Sequence, residues 1–220
     1  MMRKFLLSIS LLLICAATGL QAQYSVMNQP ELYVGLAAGP TFSTATMMPL
    51  YVDKTFIQGL EGGLVVRYIS EKNFGLEAGL NYSQSGWKDD YGYQATDAYQ
   101  RSISYVELPF LMHAWLPSGS SRFFLDAGPK VGWYLSETES IDNHSGTTWP
   151  YYGKTVETYL QWGIMGKVGF EVHFGPLALG LEGGYYYGLS DIFSNKVTDP
   201  FVSSNLSQIV ARVFLLYRLK

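Results

Sequence analysis

Apolar and polar residues alternate one by one along most of this chain. The alternation is cleanest at 74–84, where Phe74, Leu76, Ala78, Leu80 and Tyr82 stand against Gly75, Glu77, Gly79, Asn81 and Ser83. A period of two is the pattern of a β-strand with two unlike faces. It recurs to predict eight strands, near 31–42, 56–68, 74–84, 102–115, 122–135, 159–174, 177–188 and 206–219. In the last of these Ile209, Ala211, Val213, Leu215, Tyr217 and Leu219 form the apolar face, and Phe214 and Leu216 interrupt the polar one.

The connections alternate as well. Short ones fall at 69–73, 116–121 and around Gly175-Pro176, and long polar ones near 43–55, 88–101, 136–158 and 189–205. Short turns at one end and long loops at the other predict an all-β, eight-stranded antiparallel up-and-down barrel of the transmembrane kind, with both termini at the short-turn, periplasmic end.

A soluble barrel would alternate equally, with its apolar face inward. Composition separates the two. Here the polar face is largely glycine, including Gly35, Gly63, Gly79, Gly132, Gly169 and Gly184, with single charges between. Glycine weakens a strand and packs nothing, so a water-facing surface gains little from it, whereas a narrow lumen needs small residues beside large charged ones. The other face carries large aliphatics, with Trp87, Tyr105, Trp115, Trp133, Tyr159, Trp162, Tyr185 and Tyr217 near strand ends, as interfacial girdles do. The apolar face is therefore read as lipid-facing. The inward set then holds Glu61, Glu77, Glu107, Asp126, Glu171 and Glu182 with Arg67, Lys130, Lys167 and Arg212. Charges nearly balanced in sign suit a packed interior that closes the barrel to ions; the alternative is a narrow ion or proton path.

The first residues, MMRKFLLSISLLLICAATGLQAQ, join a basic pair to an apolar run and a small residue at Ala22. That is the pattern of a secretory signal peptide at 1–22, leaving a barrel domain at 23–220 and, since Cys15 is the only cysteine, a mature chain without thiols. Removing Arg3 and Lys4 from the 15 basic residues leaves 13 against 18 acidic ones, a net charge of −5, which argues against nucleic acid as a partner.

The segments YVELPFLMHAW (105–115), FFLDAGPKVGWYLS (123–136) and GIMGKVGFEVHFGPLALGLEGGYYYGLSDI (163–192) resemble the PorT-like outer-membrane β-barrel family, often labelled porin family. The Glu107-Leu108-Pro109, Gly128-Pro129 and Gly188-Leu189-Ser190 motifs carry the likeness, which spans the mature chain. It implies an integral outer-membrane barrel, in a family whose named member serves protein secretion, and brings no catalytic or ligand residues. Lys220 departs from the aromatic on which such barrels commonly end.

Candidate chemistry is sparse. His144 stands beside Ser145 and near Asp142 in a long loop, but neighbours on a loop lack the rigid orientation that nucleophilic catalysis needs. His113 and His173 share the inward face, where hydrogen bonding is expected and metal binding is not. Asp89, Asp90 and Asp97 read as solvated acids, and the Asn-x-Ser matches at Asn81, Asn143 and Asn205 as chance. The loop aromatics Trp87, Tyr91, Tyr93, Tyr99, Trp149, Tyr151, Tyr152 and Phe201 offer contacts for a protein partner, or else pack the loops themselves. The sequence thus leads to an expectation of a non-enzymatic barrel without cofactor or metal, in contact with outer-membrane lipid, acting structurally or through its external loops. A small passive channel is the alternative, and a lipid-modifying enzyme comes third.

Overall fold

A computed structural model describes residues 30–90, 98–142, 150–195 and 201–219. The expected signal peptide, together with Tyr91, Tyr93, Asp97, Asn143, His144, Ser145, Trp149 and Lys220, lies outside the described residues. The elements are β1 (Glu31–Met48), β2 (Asp53–Thr55), β3 (Ile57–Ile69), β4 (Phe74–Asp90), β5 (Ala98–Ser118), β6 (Ser121–Asp142), β7 (Leu160–Phe174), β8 (Leu177–Asp191) and β9 (Ser203–Arg218).

Every long strand pairs antiparallel with the next, and β1 pairs with β9, so eight strands close a ring without a free edge along its wall. Closure is what the bilayer demands, because an open edge would leave backbone groups without partners in hydrocarbon. The ninth strand is a short one: β2 lies against Lys88–Asp90 of β4, above the point where the β3–β4 ladder ends. At the short-turn end Gly119 and Gly175 take φ of 64° and 62°, the left-handed backbone that tight turns ask of glycine.

Alternation holds as burial. Leu36, Leu60, Leu80, Phe110, Leu125, Ile164, Leu181 and Val213 are exposed on the outer wall, where lipid tails provide the apolar contact. Phe214 and Leu216, the two residues that interrupt the last polar face, are buried inside, and Ile209, Val213, Leu215 and Tyr217 face out.

Two sequence expectations are corrected. The strands run further outward than the pattern indicated: β5 and β6 span 21 and 22 residues, where crossing the hydrocarbon takes about 9–11. Much of the expected external loop sequence at 88–101 and 136–142 is therefore projecting sheet. Trp87, Tyr105 and Trp115 are buried inside the barrel and take no part in a girdle. The odd-even parity of their own strands already put them on the inward side. Trp133, Tyr159, Trp162, Tyr185 and Tyr217 are exposed on the outer wall as expected.

Candidate functional site

The interior is stacked in three layers. At the turn end Tyr33, Val65, Ile69, Trp115, Phe124, Phe214 and Leu216 make an apolar floor. At the external end Trp87, Tyr99, Ile103, Tyr105, Tyr151, Phe193, Phe201 and Leu206 make an aromatic cap. The ten charged residues expected in the lumen are all buried between these layers.

Arg67 of β3 joins Glu77 of β4 through Nε and Nη2, at 3.0 and 2.8 Å, and Glu171 of β7 through Nη1 at 2.6 Å. Lys167 of β7 donates to Glu77 at 2.5 Å and to Glu182 at 3.0 Å, and lies 3.2 Å from Asp126. Arg212 of β9 holds Glu182 with Nε at 2.6 Å and with Nη2, and reaches Glu61 at 2.6 Å. A second chain runs from Glu107 through Lys130 to Gln208 and Ser83.

The geometry matters because β3 and β7 stand opposite one another in the ring. A direct Arg67–Glu171 contact therefore spans the lumen from one wall to the other. Glycines make the crossing possible: a methyl at Gly169 would overlap the Phe124 ring, and one at Gly180 the Phe214 ring. Arg67 in turn lies over both rings, 5.2 and 5.4 Å from their centroids, so the guanidinium sits between the floor and its carboxylates.

The histidines are part of this packing. His113 Nδ1 lies 2.6 Å from Asp126 and His173 Nε2 lies 2.8 Å from Glu171. Six carboxylates face four cations in the network, and the two imidazoles give two of those carboxylates, Asp126 and Glu171, a further polar partner. Glu77, His113 and Asp126 bring donor atoms within 4.8 Å of one another. The Lys167 ammonium already lies against both carboxylates, so a metal ion there would meet a resident positive charge.

The cap holds groups that the sequence reading did not connect. Arg101 pairs with Glu137 at 3.0 Å and Glu139 at 2.6 Å, and donates to the carbonyls of Tyr151 and Lys154. A register shift beside Tyr105 leaves Leu135 as an extra residue on β6 and inverts the alternation beyond it, which turns Glu137 and Glu139 inward. Single-period reading cannot anticipate that inversion. Lys54, Asp89 and Tyr151 close a triangle: Lys54 donates to both partners at 2.6 Å, and Tyr151 donates to Asp89 at 2.6 Å. Burial raises the Asp89 carboxyl and lowers the Lys54 ammonium from their ordinary values, and burial beside Asp89 raises the Tyr151 phenol. Of the loop aromatics read as offering partner contacts or else packing the loops, Trp87, Tyr99, Tyr151 and Phe201 are buried in this cap. Loop packing wins there because each ring finds another: Tyr99 stacks on Tyr152 at 4.6 Å, and Phe193 on Phe201 at 5.2 Å.

Comparison with solved structures places this architecture among outer-membrane barrels. OprG from Pseudomonas aeruginosa superposes with a TM-score of 0.52 at 11% identity, over 86% of this chain and 95% of that one. Ail, the attachment invasion locus protein of Yersinia pestis, gives 0.42 at 10% identity, over 85% and 99%. Neisserial surface protein A gives 0.41 at 13% identity, over 85% and 98%. At these identities the likeness to OprG speaks for the fold alone. No curated protein matches by sequence. The family described as outer membrane protein beta-barrel domain matches residues 21–194, and the chain belongs to that family, an outer-membrane protein by fold and by sequence.

Proposed function

We propose that the protein serves the outer membrane as a closed barrel, structural and interaction-mediating, and acts neither as a pore nor as a catalyst. The observation that carries this reading is the Arg67–Glu171 contact across the lumen, sealed between an aromatic cap and an apolar floor. Charges locked into mutual hydrogen bonds are not available to pass ions in single file. The described histidines lie against carboxylates inside the barrel, which supports a packing role for them.

Partner contact then falls to the projecting β5–β6 ribbon. Above Trp133 the β6–β7 ladder stops, and Leu135 and Ile141 are exposed. An extended segment of a partner can add to such an edge. The Glu107-Leu108-Pro109 and Gly188-Leu189-Ser190 motifs support the narrower PorT-like grouping, and with it a part in secretion support, adhesion or envelope stability.

Liposome swelling tests the closed state. Refolded protein should admit small sugars and amino acids no faster than empty liposomes do; solute-dependent swelling would make it a channel. Lipid A mass spectra from cells with and without the protein should coincide, and a changed acyl pattern would reopen the enzyme reading.

A further inference from the structure

Below the floor, the short-turn end of the barrel opens into a cup of about 360 Å³. Its lining is drawn from around the ring: Glu31 at the start of β1, Lys72 in the β3–β4 turn, Trp115 on β5, Arg122 on β6, His173 on β7 and Arg218 on β9. Cationic groups exceed anionic ones here, with Lys72, Arg122 and Arg218 against Glu31 and Glu71, while His173 is engaged by Glu171.

Arg122 is the unusual member. Its guanidinium lies 5.3 Å from the centroid of the Trp115 ring, a cation–π contact. It forms long ion pairs with Glu31 at 3.5 Å and Glu171 at 3.9 Å, and its buried Nη1 has no hydrogen-bond partner among the described residues. Both carboxylates are committed elsewhere. Glu31 accepts from Tyr33 at 2.9 Å and from Arg218 at 3.2 Å, and Glu171 is held by Arg67 and His173. The Arg122 guanidinium therefore borders the cup held only by long ion pairs, without the close bidentate acceptor that a planar fork matches best.

We propose that this periplasmic cup is a binding site for a small organic anion, gripped through a carboxylate or phosphate group by Arg122 with Arg218 as the second contact. The volume falls in the range of small-molecule sites, roughly 300–1,000 Å³, so it admits a few carbons beyond the anionic group, and Trp115 and Ile69 supply apolar wall for them. Glu31 is the internal competitor, since it now occupies the side chains that the ligand would use.

The test uses the mature protein refolded in detergent micelles with ¹⁵N-labelled arginine. N-acetylglycine and methyl phosphate serve as the carboxylate and phosphate probes, against sodium chloride at matched ionic strength. The Arg122 and Arg218 side-chain resonances should shift saturably in the millimolar range with at least one probe, and the tighter probe identifies the chemical class. Arg122→Gln should abolish the saturable shift at Arg218, and Glu31→Gln should tighten binding about tenfold by removing the competing charge. Heat-modifiable gel mobility certifies that each variant is folded. Linear or chloride-equivalent shifts in the wild type, or unchanged affinity in folded Arg122→Gln, would overturn the proposal; the wild-type titration decides even if a variant fails to fold.

Discussion

Lys167 has its ammonium within hydrogen-bond reach of Glu77 and Glu182, beside Asp126, and all four side chains are cut off from bulk water. Removing one partner from such a cluster leaves charge stranded, which costs about 3–5 kcal/mol. Lys167→Met should therefore lower stability to urea in micelles by that order, and pairing it with Glu77→Gln should recover part of the loss. A single variant as stable as wild type would mean that water reaches the layer. The glycines opposite these charges are equally specific. Gly180→Ala would press a methyl on Phe214 and on the Phe170 carbonyl, an overpacking expected to cost about 1–3 kcal/mol; Phe214→Leu should relieve part of it, and equal losses with and without the second change would contradict the account. That the ten charges of the network face inward was legible from parity alone. Which of them meet was not, because partners such as Arg67 and Glu171 lie 104 residues apart and are joined only by closure of the ring.

At the level of elements, the external half of the barrel departs most from a simple period of two. The extra Leu135 on β6 inverts the faces beyond it, and β2 adds a short rung to β4, so the cap is built from sheet that alternation alone reads as loop. Trp87, Tyr105 and Trp115 illustrate the converse. Aromatic residues near strand ends suggested a girdle, yet each sits on the inward parity and is buried. The cap also makes a pH prediction. Burial and Asp89 push the Tyr152 phenol up to about 12, and burial raises Tyr151 from its usual 10.0 as well. A phenol whose folded value is raised contributes stability that is complete below pH 10, and that contribution is lost as pH rises through about 12. Near-ultraviolet circular dichroism of the cap should collapse across this window while the far-ultraviolet barrel signal persists. Tyr151→Phe should move the collapse to higher pH; a transition insensitive to that change would remove the Lys54–Asp89–Tyr151 triangle from the cap's stability.

For the whole molecule, the layered interior turns a ring of strands into a solid object: apolar floor, charged middle, aromatic cap, and lipid-facing aliphatics around all three. The class of fold could be read from alternation and loop lengths, since both follow from local physics. The proposed seal depends on long-range packing of side chains that no local pattern reports. Single-channel recording of the refolded protein in a planar bilayer tests that seal most directly. A closed barrel gives a steady baseline at all moderate voltages, because Arg67 and Glu171 bridge the lumen. Stable conductance steps that change in size with Glu77→Gln would show that ions pass through the charged layer, and would contradict a closed barrel.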